Sequence, residues 1–204
     1  MRRILPICRR RALLSSAAVS ARAERIVDTL VGLDPLADLP RTGWLLRGVR
    51  PCESIADHSY FVALTVMLLV DALRDEGESV DGEKALRMAL VHDAPEAKTG
   101  DVPMPQKTPR MDAALEELEG ELITRLVPEP QQRAWREAED GESLEARIVK
   151  AADKIQMMTK ALVYGRAGRG ELSEFWINDK NFPDKGLAIA REVYAVLRAR
   201  HGAR

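Results

Sequence analysis

Ala89-Leu90-Val91-His92-Asp93-Ala94-Pro95-Glu96 interrupts an apolar helical pattern with three ionisable side chains. The chain has only three histidines, and here one of them is followed directly by an aspartate. Ionisable groups within an apolar helix are unfavourable unless a partner compensates their charge. A divalent metal ion, which accepts both imidazole nitrogen and carboxylate oxygen as ligands, is the simplest such partner.

Two further residues complete this ligand set, one on each side of the doublet. His58 lies on the apolar stripe of a predicted helix, and Asp153 lies within a later predicted helix. Together with His92 and Asp93 they supply two imidazoles and two carboxylates, which suit a divalent metal that activates water. A lone histidine is more often an ordinary core residue, but the adjacent acid and the second histidine favour a metal site.

Two more acids follow the doublet. On a continuous helix Glu96 would share a face with His92, where its carboxylate could accept a proton from water. The alternative for Glu96 is a solvated acid at a helix end, and Pro95 predicts that the helix kinks or ends there. Asp101 follows Gly100, so its alternative is an ordinary turn aspartate.

The segment 41–50 is rich in arginine and precedes the first predicted ligand helix. Arginine binds phosphate with two parallel hydrogen bonds, so Arg41 and Arg47 are rival candidates for a phosphate contact. Trp44 lies between them and could pack against a sugar or a base. The alternative is a surface loop whose tryptophan is anchored in the core, and spacing alone leaves both interpretations open.

The remaining sequence predicts one helix after another. No segment combines sustained period-2 alternation with β-branched enrichment, so we predict an all-α fold in a single domain, residues 24–200. The predicted helices cover residues 24–33, 53–74, 83–96, 112–126, 129–139, 143–164 and 187–200, separated by irregular segments that include 40–51 and 101–109.

Composition narrows the class of protein. The chain has 204 residues, of which 46% are hydrophobic and 31% charged, as in a globular rather than a disordered protein. The net charge of −1 argues against nucleic acid or an anionic membrane as a partner. No uninterrupted apolar run approaches the roughly 20 residues of a membrane span. Two cysteines, Cys8 and Cys52, suggest a reducing compartment such as the cytoplasm.

Residues 1–23 differ from the rest of the chain. They contain six arginines and no acid before Glu24. This pattern is typical of an organelle transit peptide, which would imply a mitochondrial or plastid matrix. A disordered extension or a misassigned start codon is a second interpretation, and a weak secretory signal is a third. The sequence leaves all three open.

These residues together resemble the HD-domain metal phosphohydrolases, whose signature has the pattern H…HD…D. Within that superfamily, the chain looks most like the 5′-deoxynucleotidase branch, which includes bacterial enzymes and eukaryotic homologues. The resemblance runs from about residue 24 to about residue 200. The segments that carry it are RTGW at 41–44, ESIADHS at 53–59, HDAPEAKTGD at 92–101 and VKAADK at 149–154.

The resemblance implies a helical bundle with a metal site between helices, usually as a homodimer. The implied reaction removes the 5′-phosphate from deoxyribonucleoside 5′-monophosphates. The implied metal ligands are His58, His92, Asp93 and Asp153. The implied catalytic residues are Glu96, which positions or deprotonates water, and Asp101, which assists at the leaving oxygen or orients the substrate. The implied substrate-binding residues are Arg41 at the phosphate, with Arg47 as its rival, and Trp44 at the sugar.

Two other functions stay open at this point. One is an HD phosphohydrolase that acts on another nucleotide phosphoester, and the other is a non-catalytic nucleotide-binding module. Glu96 favours an enzyme, because a degenerate site would tolerate the loss of that acid. Two histidines and two aspartates suit Mn²⁺, Co²⁺, Mg²⁺, Fe²⁺ and Zn²⁺ alike.

Overall fold

The computed structural model describes residues 16–103 and 108–203, and this part of the chain contains helices and no strand. The all-α fold predicted from the sequence is therefore confirmed. Two short 3₁₀ helices span Asp34–Ala37 and Asp179–Asn181. The α-helices in the described residues are α1 Ser16–Leu33, α2 Thr42–Leu45, α3 Ile55–Asp75, α4 Gly82–Val91, α5 Glu96–Thr99, α6 Pro109–Leu126, α7 Glu129–Asp140, α8 Leu144–Arg166, α9 Ser173–Ile177 and α10 Ala188–Gly202.

Helices α3 and α8 pack against each other at the centre of the bundle, and α4, α7 and α10 pack around them. The predicted apolar stripe of α3 is buried, and His58 is buried on it. Most of the stripe predicted for α8 is also buried. Burial of these side chains supplies the main driving force for folding, about 1.5–3 kcal/mol for each large aliphatic residue. The buried stripe residues are Ile55, Val62 and Leu69 on α3, and Ile148, Ala151, Ile155, Met158 and Leu162 on α8.

The first turn of α3, which carries His58, is fixed by a capping box. The Ser54 hydroxyl accepts a hydrogen bond from the Asp57 amide at 3.0 Å, and the Asp57 carboxylate accepts one from the Ser54 amide at 2.9 Å. Such caps satisfy amides that the helix cannot, and each contributes about 1 kcal/mol. The imidazole of His58 therefore extends from a well-anchored helix start.

The helix predicted over residues 83–96 is shorter in the structure. Helix α4 ends at Val91, a turn covers residues 92–95, and α5 begins at Glu96. Pro95 explains the break, because it has no amide hydrogen for a helical hydrogen bond and its ring clashes with the preceding turn. The expectation that His92 and Glu96 share one helical face is therefore wrong.

Other boundaries also differ from the sequence-based expectation. The segment 40–51, predicted to be irregular, contains the short helix α2, and α9 was not predicted at all. The helix predicted to begin at Glu24 begins at Ser16 instead. Residues 1–15 of the predicted N-terminal extension, with Cys8, lie outside the described residues. The domain limits of 24–200 remain a prediction.

One helix of the described chain, α3, is long and apolar enough to span a membrane by length and composition. The sequence analysis did not anticipate this, because it considered only uninterrupted apolar runs. A core helix of a globular protein passes the same test. One face of α3 packs into the core, and the absence of a membrane partner remains a prediction.

Candidate metal centre

The metal ligands predicted from the sequence come from three separate elements of the bundle. The first turn of α3 supplies His58, the turn after α4 supplies His92 and Asp93, and the middle of α8 supplies Asp153. The Nε2 atoms of the two histidines are 3.4 Å apart. Asp93 Oδ2 lies 3.2 Å from Nε2 of His92 and 3.5 Å from Nε2 of His58. Residues 34 positions apart in sequence thus meet at one point.

Asp153 closes this cluster from the side of α8. Its Oδ1 lies 3.3 Å from Nε2 of His58, and its Oδ2 lies 3.2 Å from Lys154 Nζ. Burial alone would raise the pKa of Asp153, but Lys154 and, in their protonated form, the two histidines outweigh it and hold that pKa well below its usual value. Asp153 is therefore ionised at neutral pH, which is the state in which a carboxylate binds a metal.

The imidazole of His92 is oriented by the backbone. Its Nδ1 lies 2.8 Å from the carbonyl oxygen of Ala89. A carbonyl oxygen only accepts hydrogen bonds, so Nδ1 carries a proton, and in the neutral imidazole the lone pair on Nε2 faces the cluster. The indole of Trp135 donates to the carbonyl oxygen of His92 at 3.1 Å and anchors the turn from the other side.

The geometry fits a single divalent ion. Donor atoms about 2.1 Å from one ion, at tetrahedral or octahedral angles, lie about 3.0–3.4 Å from one another. The distances among Nε2 of the two histidines and the facing carboxylate oxygens are 3.2–3.5 Å. Among the described residues, His58, His92 and Asp93 form the one group of three such ligands whose donor atoms all lie within 4.8 Å of one another. Asp153 lies outside this group and adjoins it through His58.

Arg41 lies beside the cluster and contacts three acids. Its Nη1 lies 3.4 Å from Asp93 Oδ2, 3.8 Å from Glu96 Oε2 and 3.6 Å from Asp101 Oδ1. Burial would lower the pKa of this guanidinium, but the surrounding carboxylates outweigh that effect and raise it. The structure thus brings one of the two candidate arginines to the predicted metal ligands.

Arg47 and Trp44 make other contacts. Arg47 forms an ion pair with Glu174 at the start of α9. Trp44 is only 3% exposed, its ring stacks on Phe175 at a centroid distance of 4.9 Å, and its Nε1 donates to Glu53 Oε1 at 2.8 Å. The structure therefore shows the core-anchored tryptophan that the sequence left as an alternative. Contacts of either side chain with a substrate remain predictions.

Asp101 caps the short helix α2. Its Oδ2 accepts hydrogen bonds from the amide of Thr42 at 2.5 Å and from the amide of Gly43 at 3.4 Å. Asp101 therefore holds the backbone that directly follows Arg41, and its other oxygen contacts the Arg41 guanidinium. Both contacts fix the position of the arginine. The predicted role of Asp101 at the leaving oxygen is not tested by these contacts.

Glu96 faces the cluster across a small cavity. Its Oε2 is buried and has no hydrogen-bond partner among the described residues. Burial and the nearby charge of Asp93 raise the pKa of Glu96 to about 10, although Arg41 acts in the opposite direction. A carboxylate with raised proton affinity beside a metal site is suited to proton transfer. The cavity measures about 130 Å³ and is lined by His92, Asp93, Pro95, Glu96, Glu119 and Glu139.

A larger cavity of about 470 Å³ lies between α1 and the α6–α7 connection. It is lined by residues of those elements and by none of the residues predicted to form the site. Its size therefore does not make it the better candidate, because it lacks the convergent ionisable groups that chemistry requires.

Gln156, which contacts a proposed metal ligand, and Glu53, which contacts Gln156, were given no role from the sequence. Gln156 Oε1 lies 2.7 Å from Nδ1 of His58, and Gln156 Nε2 lies 2.9 Å from Glu53 Oε2. Gln156 follows Asp153 by three residues, so both lie on one face of α8. That spacing was the available signal for Gln156. Glu53 opens segment 53–59, one of those that carry the family resemblance, but the resemblance assigned it no role.

Comparison with known proteins adds a family to this geometry. Residues 33–185 match the family model of the HD domain. The chain is 33% identical over 154 residues to the 5′-deoxynucleotidase HDDC2 of Bos taurus, and the aligned region covers 72% of each chain. It is 36% identical over 152 residues to the 5′-deoxynucleotidase YGK1 of Saccharomyces cerevisiae, 68% of each chain. The crystal structure of the PH0347 protein from Pyrococcus horikoshii OT3 aligns with a TM-score of 0.74 and 33% identity, covering 87% of this chain and 99% of that one.

Proposed function

Because this chain belongs to the HD domain family, we propose that it is a 5′-deoxynucleotidase. It hydrolyses deoxyribonucleoside 5′-monophosphates to the deoxynucleoside and phosphate, and it requires a divalent metal. Relatives that share about a third of its residues carry that activity in their names. The observation that carries the proposal is the cluster of His58, His92 and Asp93, with Asp153 in contact with His58 and with Arg41 and the buried Glu96 beside it.

The proposed metal ligands are His58, His92, Asp93 and Asp153. The candidate ions remain Mn²⁺, Co²⁺, Mg²⁺, Fe²⁺ and Zn²⁺. When bound, such an ion lowers the pKa of water and offsets the charge of phosphoryl oxygens. The two imidazoles and two ionised carboxylates described above fit this role in donor type and in spacing.

Glu96 is the proposed base. It lines the same cavity as His92 and Asp93. The charge of a divalent ion held there would oppose the effect of Asp93 and favour the ionised form of Glu96, and that carboxylate would take the proton that water loses as the water oxygen attacks phosphorus. The new P–O bond forms as the bond between phosphorus and the 5′-oxygen breaks, and the leaving 5′-oxygen takes a proton from Asp101 or from solvent water. Asp101, 3.6 Å from Arg41, is the proposed residue that assists this departure or orients the substrate.

Arg41 is the proposed phosphate ligand. All three of its contacts with acids use Nη1, so the remaining N–H groups of the guanidinium can donate to phosphoryl oxygens. Charge developing on those oxygens is stabilised by a cation that the surrounding carboxylates already hold in place. Arg47 is the rival, but its recorded partner is Glu174.

Substrate choice tests the proposal. Phosphate release is measured from 5′-deoxynucleotides, the matching ribonucleotides and 3′-deoxynucleotides in the presence of each candidate metal. We expect release from the 5′-deoxynucleotides and little from the other two sets. Equal release from all three sets, or release only from another phosphoester, would replace this substrate class. Metal binding without any release would favour a nucleotide-binding module.

A homodimer is part of the proposal. The face of α3 that points away from the core exposes Tyr60, Phe61, Met67 and Leu68, which recur at helical spacing. A contiguous exposed apolar surface of this kind is typical of an association site, and most homodimers pair the same surface of two copies. We propose that this face of α3, defined by those four residues, forms the contact between subunits.

The cellular setting is also proposed from composition alone. The net charge of −1 supports the expectation that neither nucleic acid nor a membrane is a partner. We propose a cytoplasmic location, with a mitochondrial or plastid matrix as the alternative if residues 1–23 act as a transit peptide.

A further inference from the structure

A chain of buried polar side chains ends at the metal centre. Among the described residues, the buried polar or charged side chains are Glu53, His58, Glu145 and Gln156. Three of these four are joined by hydrogen bonds: Gln156 lies 2.7 Å from His58 and 2.9 Å from Glu53. Buried polar groups are tolerated when each donor meets an acceptor, and such networks then fix a single arrangement.

Glu53 sets the direction of this chain. Its Oε1 accepts a hydrogen bond from Trp44 Nε1 at 2.8 Å, and its Oε2 lies 3.3 Å from Lys160 Nζ. Both carboxylate oxygens thus face donors, as expected for an ionised group that only accepts hydrogen bonds. The Gln156 atom that faces Glu53 must therefore be the amide nitrogen, because the amide oxygen has no proton to donate.

The orientation of the Gln156 amide then fixes the tautomer of His58. With its nitrogen on Glu53, Gln156 presents its oxygen to Nδ1 of His58, so Nδ1 must carry the proton. The lone pair of His58 is left on Nε2, the atom that lies 3.3 Å from Asp153 and 3.5 Å from Asp93. His92 reaches the same tautomer through a backbone carbonyl, whereas His58 depends on a side chain that mutation can remove.

We propose that Gln156 is a positioning residue of the metal centre, with Glu53 as its anchor. It holds His58 in the tautomer and ring orientation that offers Nε2 to the ion. This inference rests on the metal site of the proposed function but not on its substrate. Partners of this kind on metal-binding histidines typically change metal affinity 10- to 100-fold when they are removed.

The test uses metal affinity rather than turnover. Gln156→Leu keeps approximately the same size but cannot accept a hydrogen bond from His58 Nδ1. Met158→Leu is the matched control, because Met158 is buried on the same helix and belongs to the apolar core. Co²⁺ is titrated into metal-stripped wild-type protein and both variants, and the dissociation constant is read from visible absorption. Circular dichroism confirms that each protein is folded.

We expect Gln156→Leu to weaken Co²⁺ binding about 10- to 100-fold, while Met158→Leu stays within about twofold because it conserves volume. Equal affinities for wild type and a folded Gln156→Leu variant would overturn the positioning role alone. Failure of the wild type to bind Co²⁺ would overturn the metal site as well. Neither result depends on whether the right nucleotide was assayed.

A spectroscopic measurement keeps the inference testable if Gln156→Leu does not fold. Long-range ¹H–¹⁵N correlation spectra of the wild-type protein loaded with diamagnetic Zn²⁺ identify which ring nitrogen of His58 is protonated. We expect the proton on Nδ1. A proton on Nε2 would contradict the hydrogen-bond chain directly, since Gln156 would then have to turn its nitrogen away from Glu53.

Discussion

Arg41 combines two properties that a phosphate ligand needs. It is held in a fixed position by Asp93, Glu96 and Asp101, and it is the cation of segment 41–50 that the structure places against the predicted metal ligands. The guanidinium would attract a dianionic phosphate in the cavity and offset the repulsion between that phosphate and the three acids. The position of Arg41 therefore favours substrate binding more than structural stability.

Replacing each arginine in turn tests this assignment. Arg41→Ala should raise KM for a 5′-deoxynucleotide about 10- to 100-fold, because a charged hydrogen bond contributes roughly 1.5–3 kcal/mol. Arg47→Ala is the matched control and should change KM less than about threefold, because exposed ion pairs such as that with Glu174 contribute little. Steady-state kinetics distinguish the two. A larger effect of Arg47→Ala would assign the phosphate to Arg47.

At the same scale, the sequence singled out the four proposed metal ligands, and the structure brings His58, His92 and Asp93 together, but the sequence assigned no role to Gln156 or Glu53. An ionisable side chain within an apolar helix needs a partner that compensates its burial. The residue types of His58, His92 and Asp153 therefore indicated a site before the structure was known. Gln156 is a neutral amide on a helix, and its partner Glu53 is 103 positions away in sequence. A contact of that kind depends on how α3 and α8 pack, which local patterns do not encode.

Among the elements, the connection before α4 determines where the His92-Asp93 turn lies. Asp81 caps α4 by accepting a hydrogen bond from the Lys84 amide at 3.0 Å. Glu145, in the first turn of α8, accepts a hydrogen bond from the Asp81 amide at 3.0 Å and contacts Lys84 Nζ at 3.3 Å. Glu145 thus ties the start of α4 to α8, and the far end of α4 delivers the turn to the metal centre.

Glu145→Gln should lower the free energy of unfolding at neutral pH by about 1 kcal/mol. Burial would raise the pKa of Glu145, but the Asp81 amide and Lys84 outweigh it and lower that pKa. A lowered pKa in the folded state means that the charge stabilises the protein above about pH 4.3, the value of an unfolded glutamate. This stabilisation is lost as the pH falls through the folded-state pKa.

Urea unfolding of wild type and Glu145→Gln at pH 7 and at pH 3.5 measures this effect. The difference in stability should be largest at pH 7 and should shrink at pH 3.5. Glu83→Gln is the control, because its ion pair with Arg87 is exposed and should contribute less than about 0.5 kcal/mol. A difference that grows as the pH falls would contradict the linkage.

The boundaries of the elements were predicted less well than their existence. Pro95 predicted a kink or an end in the helix that begins near Glu83. The apolar spacing nevertheless continues through Ala94, so the predicted helix was extended over residues 92–95. The decisive contacts lie elsewhere, since Trp135 of α7 holds the turn by its hydrogen bond to His92. The four-residue helix α2 is similarly stabilised by Asp101, which no pattern within segment 40–51 reveals.

The whole molecule is a helical bundle, and its helix α3 carries apolar side chains on two faces. The two faces differ in what covers them. One face packs into the core, and the other exposes the side chains of the proposed subunit contact. This explains why α3 is apolar enough to meet the length and composition test for a membrane span. A second copy of the chain would cover the exposed face.

Leu68→Asp tests that contact, because a carboxylate buried between two subunits would have no partner. Sedimentation velocity should show a dimer for wild type and a monomer for Leu68→Asp at the same concentration. Ile177→Asp is the control, since Ile177 is 82% exposed and lies outside the proposed face, and it should remain dimeric. A wild-type monomer, or a dimeric Leu68→Asp variant, would remove this face from the proposal.

The most direct test of the central claim compares bound metal with phosphate release in wild type and Glu96→Gln. Both proteins are stripped of metal, reloaded with Mn²⁺ or Co²⁺, analysed for metal content and assayed with a 5′-deoxynucleotide. We predict one ion per chain in both proteins, release by wild type in proportion to its metal, and release by Glu96→Gln lower by about 10²–10⁴-fold. Release by metal-free wild type, or an unchanged rate in metal-loaded Glu96→Gln, would contradict the account.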